Sequence, residues 1–331
     1  MSVHVTAARR AVAALAVAAA AFTAAPAAAA QDPAASEART QVTIAPLDLN
    51  GPAISEVKVT VTNAGPERLS RLNVTLNGPA GWAVQPAVRS VDGSYQPGAA
   101  ATAEFRIQVP EQRAGFTMRT FTATATYKGG DGQGTATGTR VERSGAALAR
   151  LSDAYNKVAI TDENDTKAGE FDGEGNSFSA QKLAAVGLTP GASVNALGAQ
   201  LTWPAAAPGT KNSVSSTGQA VKLAGKGSKL VFLGSGVGFG ATGTATVIYT
   251  DGSSTAGSIG FPNWSFQEPT AHGATLVKST DGRNRPDGYG NAGIDYRVFA
   301  HSIALDPAKQ VELVVLPANA AIHLFDIALA P

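Results

Sequence analysis

The sequence predicts an all-β chain, and three observations predict it. Its 331 residues include 36 glycines and 18 prolines, a density of turn formers that suits many short strands. Apolar and polar residues alternate with a period of two in segment after segment, as in Val57, Val59 and Val61 set between Lys58, Thr60 and Thr62. Long amphipathic runs with helical spacing are few, and we attribute the abundant alanine to codon bias of a high-GC genome rather than to helix.

The first element is not part of the fold. Arg9 and Arg10 precede an apolar stretch, Ala11 to Ala21, too short to span a bilayer, and Ala28-Ala29-Ala30 offers a small-residue cleavage site. Residues 1–30 therefore read as a signal peptide, with Gln31 as the mature N-terminus, and a secreted, extracellular protein is expected. The chain closes on Ala328-Leu329-Ala330-Pro331, which reads as a strand end, so release is expected rather than anchoring. Residues 31–40, QDPAASEART, are small and polar and read as a flexible leader.

Residues 41–143 follow as short strands. After Val57–Thr62, Asn63-Ala64-Gly65-Pro66 turns the chain. Leu72, Val74 and Leu76 alternate with Asn73, Thr75 and Asn77, and Gly78-Pro79 stops them. Ala103 to Val109 and Phe121 to Tyr127 alternate again, and Gly129-Gly130-Asp131-Gly132 is a hairpin turn. About seven strands at this spacing suggest an immunoglobulin-like sandwich. The order TVTNAGPERLSRLNVTL, GPAGWAV, PGAAATAEFRIQVP and FTATATY resembles the NEW3 domain that accompanies carbohydrate-active enzymes and is named from α-galactosidases. That resemblance implies a spacer or accessory module. Trp82 reads as a packing residue, with a sugar platform as the alternative.

Residues 144–150, SGAALAR, read as a linker, and a second domain occupies 151–331. Its opening, Phe171-Asp172-Gly173-Glu174-Gly175-Asn176-Ser177-Phe178-Ser179-Ala180-Gln181-Lys182-Leu183, resembles the FDGxGxSxSAxxL start of a β-sandwich domain appended to secreted glycoside hydrolases of high-GC bacteria. The resemblance continues through Ala185–Gly191, Leu201-Thr202-Trp203-Pro204, Ala241–Asp251, Phe261–Trp264, Arg283-Asn284 and Leu305-Asp306-Pro307. It implies a galactose-binding-like jelly-roll sandwich. One short helix is expected at Ala180–Val186 with Ser179 as its N-cap. Asp281-Gly282 before Arg283 departs from the family pattern, where an aromatic is more usual.

Composition narrows the chemistry. The absence of cysteine excludes thiolate catalysis, thiolate metal sites and disulfides. Lys+Arg 26 against Asp+Glu 25 gives no basic surplus, so nucleic acid is not an expected partner. No later segment is apolar for long enough to insert in a membrane. No Gly-x-Ser-x-Gly elbow surrounds a serine, and Gly234–Gly240 lacks the helix and the Lys-Ser/Thr pair of a phosphate loop, so it reads as a bulge. Glycoside hydrolysis needs two carboxylates across a cleft, and no spacing singles out a pair.

Two kinds of site remain. Asp162, Asn164, Asp165 and Asp172 supply hard oxygens from loops. Sandwiches of this type often close a calcium site on the last strand, which would add Asp326; a solvated acidic turn is the alternative. Trp264, in the loop-like Pro262-Asn263-Trp264-Ser265, reads as an exposed sugar platform, and Arg283, Asn284 and Tyr289 lie in a polar loop able to hold hydroxyls or a carboxylate. The expected protein is a non-catalytic, carbohydrate-associated module binding polysaccharide or glycoconjugate, with a secreted glycoside hydrolase as a candidate partner. The alternatives are a small hydrolase with a carboxylate pair on the jelly roll, and a structural or adhesive surface protein without a sugar ligand.

Overall fold

A computed structural model describes residues 39–111 and 115–331. The signal peptide read at 1–30 and most of the leader read at 31–40 lie outside the described residues. Among the described residues no helix is long and apolar enough to cross a membrane.

The N-terminal part is a sandwich of two four-stranded sheets. One has the order β1 (Gln41–Ile44), β2 (Ile54–Thr62), β6 (Ala100–Gln108) and β4 (Val84–Gln85). The other has the order β5 (Arg89–Tyr95), β3 (Leu69–Asn77), β7 (Thr117–Lys128) and β8 (Thr135–Ser144). Period-two patterning places one face of each strand inside: Val57, Val59 and Val61 meet Leu72, Val74, Leu76, Phe105 and Phe121 in one core. Trp82 packs edge-on to Phe121 at 5.6 Å, as a packing residue does. The β7–β8 hairpin turns on Gly129 at φ 76°, where a Cβ would run into the Arg68 carbonyl.

The second part is a larger two-sheet sandwich. Its five-stranded sheet runs β13 (Val214–Ser215), β21 (Ile322–Ala330), β15 (Lys229–Gly236), β19 (Gly288–Ala304) and β18 (Thr275–Arg285). The facing sheet runs β14 (Ala220–Gly225), β20 (Val311–Val315), β16 (Thr242–Tyr249) and β17 (Ser254–Gly260). Leu230, Phe232, Phe299 and Leu324 pack between the sheets against Val247, Val311 and Val314.

The other face of the five-stranded sheet is also covered. Residues 159–203 fold over it as β9 (Ile160–Thr161), β10 (Phe178–Ser179), α1 (Ala180–Ala185), β11 (Ser193–Ala196) and β12 (Ala199–Thr202). They form a second core with Val231, Leu233, Val298 and Phe325. This double burial explains why β15 is apolar without alternation, its residues Leu230 to Gly236 all inside. Ser179 Oγ accepts the Lys182 N–H at 3.1 Å and caps α1, as its sequence signals.

The segment read as a linker, 144–150, is laid against the second sandwich. Leu148 donates to Ala220 and accepts from Lys222, each at 2.8 Å. Phe116, Met118, Ala147 and Val315 pack around buried Ala220, Ile248 and Leu313, and Arg143 meets Glu312 at 2.7 Å beside them. The junction between the sandwiches is thus apolar at its centre and ion-paired at its rim.

Candidate functional site

The glycine-rich motif folds into a loop that orders itself. Phe171 and Phe178 both drop into the second core, edge to face at 5.3 Å. Between them the Asp172 carboxylate accepts the Glu174 N–H at 3.0 Å, the Asn176 N–H at 3.3 Å and the Asn176 amide at 2.8 Å. The same carboxylate pairs with Arg283 at 3.4 Å. Beneath the loop, Ser177 and Thr161 share a 2.6 Å hydrogen bond, and the Asn284 amide donates to Thr161 Oγ1 at 2.8 Å. Ser177 and Asn284 also exchange both backbone hydrogen bonds, which ties the motif to the edge of β18.

The sequence-predicted sugar residues therefore take structural places. Trp264 is a correction: it is only 2% exposed and sits among Phe171, Phe178 and Tyr296, with ring centroids 4.6–4.9 Å away. Its loop is irregular, as read, but Trp264 N–H donates to the Gly236 carbonyl and its carbonyl accepts from Arg297, which drives the indole inward. Asn284 is fully buried, and the structure does not offer it to a ligand. Arg283 is held by Asp172, by Asn291 at 3.2 Å and over the Tyr296 ring at 5.7 Å. Tyr289 donates to Asp281 at 2.7 Å, carries Lys182 over its ring at 4.8 Å, and leans on Gly282, where any Cβ would strike the phenol. Burial first, then the Asp281 carboxylate, pushes the Tyr289 phenol up to about 12.

The proposed calcium ligands are not assembled either. Asp162 accepts the Asn164 N–H at 2.8 Å and the Gln181 amide at 2.7 Å, an Asx turn that holds its carboxyl below the usual range, the Asn164 N–H first among the causes. Asp165 closes that turn through its backbone N–H to the Asp162 carbonyl. Asp172 is committed to its own loop. Asp326 accepts the Thr202 N–H at 2.6 Å, and burial raises its pKa. Among the described residues no three His, Cys, Asp or Glu side chains could hold one ion. The physical reason is that Asp162 and Asp172 cap the backbone of their own turns, while Asp326 is spent on the Thr202 N–H of a neighbouring strand.

Elsewhere, two aromatics face solvent together. Phe239, in the β15–β16 loop, is 75% exposed, and Phe266, just after Trp264, is 55% exposed. Their rings stand 4.9 Å apart at 56°. The two loops are laced to each other: Asn263 Nδ2 donates to the Gly238 carbonyl at 3.2 Å, and its Oδ1 accepts from the Ser265 N–H at 3.0 Å. Gln267 Oε1 accepts the Asn263 N–H at 2.6 Å, and Asn319 Nδ2 holds the Gly240 carbonyl at 2.7 Å. A rigid polar frame thus presents two adjacent rings. From the sequence, Trp264 is chosen over its neighbour Phe266 and Phe239 is not weighed, although a phenylalanine between Gly238 and Gly240 has no strand neighbours to bury it.

Residues 147–331 match the family described as AziU2-like beta-sandwich domain. The chain belongs to that family. Residues 53–128 match the NPCBM-associated, NEW3 domain of alpha-galactosidase. No curated protein matches the chain. Among solved structures it is similar to the secreted serine protease VesC from Vibrio cholerae, at 13% identity and TM-score 0.26, over 81% of this chain and 48% of that one. The chain therefore spans about half the length of that protein. It is similar to the E. coli chaperone DraB at 13% identity and TM-score 0.22, over 34% of this chain and 60% of that one.

Within the AziU2-like domain the motif loop and the aromatic pair have different chemistry. The loop is internally satisfied and rigid, so it orders its own core. The pair has exposed apolar faces on loops whose Asn263 and Asn319 amides are spent in holding them, and such faces are suited to stacking against another apolar surface.

Proposed function

We propose that this is a secreted, extracellular, non-catalytic module that binds polysaccharide or glycoconjugate, and that Phe239 and Phe266 are its platform. The observation that carries the reading is the pair itself: two large apolar rings, in contact with each other and open to solvent, on loops held by Asn263, Gln267 and Asn319. Isolated exposed apolar residues are ordinary, but a paired, braced aromatic surface is the kind that marks a binding site. The open shape suits an internal stretch of a polymer better than a closed pocket would. The NEW3 domain, described from an α-galactosidase, supports the company of carbohydrate-active enzymes and a secreted glycoside hydrolase as a partner.

The test is retention on a panel of insoluble polysaccharides and a glycan array, with analysis of released sugar on the same samples. Wild type is expected to be retained on at least one glycan without releasing sugar, and Phe239→Ala with Phe266→Ala is expected to abolish retention. Released sugar would replace this reading with a hydrolase. Retention undiminished in the double variant would remove the platform.

A further inference from the structure

We propose that the N-terminal sandwich carries a strand-addition site on the open edge of β6, and that its occupant is an extended, acidic segment of a partner protein. The site lies on the other sandwich from the aromatic pair and does not rest on the glycan reading.

The ladder fixes which main-chain groups are free. β2 and β6 pair antiparallel with Val57 opposite Phe105 and Val59 opposite Ala103, and in the same register the Val109 N–H donates to the Ala53 carbonyl at 2.8 Å. The odd-numbered residues of β6 therefore turn their main-chain groups toward β2, and the even-numbered ones turn theirs away. On that far side the Gln108 N–H donates to the Ala83 carbonyl at 2.9 Å, and Arg106 stands opposite Gln85. There β4 ends after two residues, and Pro86 follows. Beyond that point Thr102 and Glu104 have no strand beside them among the described residues. Both are exposed. Their N–H and C=O groups recur at every second residue, the pattern that a further strand completes. The open stretch from Ala100 to Glu104 is about 14 Å long, room for about five residues of extended chain.

A cavity of about 400 Å³ opens where β4 stops, lined by Gln85 and Pro86, by Glu104, Phe105 and Arg106, and by Arg89 of the facing sheet. Arg89 gives the site its charge preference. It lies two residues before Val91 on β5, and Val91 packs against the core, so the Arg89 side chain leaves its strand on the side that faces the opposite sheet. The other charges around the cavity are paired, Arg106 with Glu56 at 3.4 Å and Glu104 with Lys58 at 3.5 Å. Among the described residues Arg89 has neither an ion pair nor a side-chain hydrogen bond. A strand added to β6 turns alternate side chains inward, toward Arg89, and a carboxylate is the group that its planar fork matches. Main-chain bonds to Thr102 and Glu104 hold the segment, and Arg89 selects its sign.

The experiment uses the full chain and calorimetric titration of a blocked heptapeptide of alternating valine and glutamate, beside its valine and lysine counterpart. Wild type is expected to bind the glutamate peptide at least about tenfold tighter than the lysine one. In an antiparallel pairing like that of β4, the inward glutamates point their N–H groups away from β6 and the valines point theirs at it. N-methylation of the valines is therefore expected to abolish binding, and N-methylation of the glutamates to leave it. Arg89→Glu is expected to reverse the preference between the two peptides. Thr102→Pro removes an edge N–H without disturbing the β2 ladder and is expected to abolish binding of both. Neither substitution touches a group that the fold uses, so both variants are expected to keep the wild-type thermal midpoint. No binding of the glutamate peptide, or equal binding of the two peptides by wild type, overturns the proposal. Binding that survives Thr102→Pro and valine N-methylation reports charge attraction without strand addition and also overturns it. A dimer in sedimentation that Thr102→Pro dissolves seats a second copy of this chain on the edge and overturns the partner segment as its occupant.

Discussion

His323 makes this fold sensitive to acid in a way that can be worked out from its surroundings. It lies inside β21, cross-strand from Ser215 and Ser235, with the Phe171 ring 4.4 Å from its own. Burial foremost, and the Lys157 charge after it, lower its pKa from 6.5 to about 4, against smaller opposing effects of Asp172 and the Ala320 carbonyl. The folded protein therefore refuses a proton that the unfolded chain accepts. As pH falls through 6.5 the unfolded state gains the proton first, and stability declines until the folded value near 4 is passed, where it levels. The whole difference corresponds to about 3 kcal/mol, and about 2 kcal/mol of it is lost between pH 7.5 and pH 5. Burial lowers the His301 pKa as well, and the raised Asp326 acts in the opposite sense. The contribution of His323 is isolated by comparing wild type with His323→Gln in urea unfolding at both pH values. Wild type is expected to lose about 2 kcal/mol more than the variant over that interval. Parallel pH profiles for the two proteins would refute the reasoning.

Other outcomes follow from the same contacts. Trp264→Ala removes an indole from among four buried rings and is expected to destabilise the second sandwich by about 3–5 kcal/mol, seen as a lower denaturation midpoint. Asp172→Ala frees the Glu174 and Asn176 N–H groups and strips Arg283 of its partner, and is expected to lower stability by about 1–3 kcal/mol in chemical unfolding. Chelator is expected to leave the thermal midpoint unchanged, since Asp162, Asp172 and Asp326 are each engaged locally; a fall in the midpoint would show a metal after all. A double-mutant cycle on Arg143 and Glu312 is expected to return less than about 1 kcal/mol, as half-exposed pairs do, leaving the junction to its apolar centre.

Much of the fold was legible because period two is a direct report of burial. Val57 to Val61 and Leu72 to Leu76 read as one-sided strands and are so. Ser179 announced the only α-helix among the described residues by its capping chemistry. The immunoglobulin-like and jelly-roll assignments agree with an all-β architecture of paired sheets. What failed was the inside or outside of residues in irregular loops, where no period exists. Pro262-Asn263-Trp264-Ser265 reads as a loop and is one, yet the loop passes under the rim of the five-stranded sheet, and hydrogen bonds to Gly236 and Arg297 turn Trp264 inward. Two residues later Phe266 points out. Size and flanking polarity could not separate them; only the position of a distant strand does.

The motif that most resembles a known family is, in physical terms, a closing device. Phe171 and Phe178 are its apolar ends, Asp172 fastens its turns, and Ser177 locks it to Asn284 on β18. The Asp172 carboxylate and the Ser177 hydroxyl are used within the loop or across to Thr161 and Arg283. Such a device needs these residue types at these positions to close, and it spends Asp172, Asn176 and Ser177 in doing so. The motif does not touch Gly238-Phe239-Gly240 or Ser265-Phe266-Gln267, where two rings face water. On the proposed binding role, specificity is therefore to be sought away from the family signature, on the loops that carry Phe239 and Phe266.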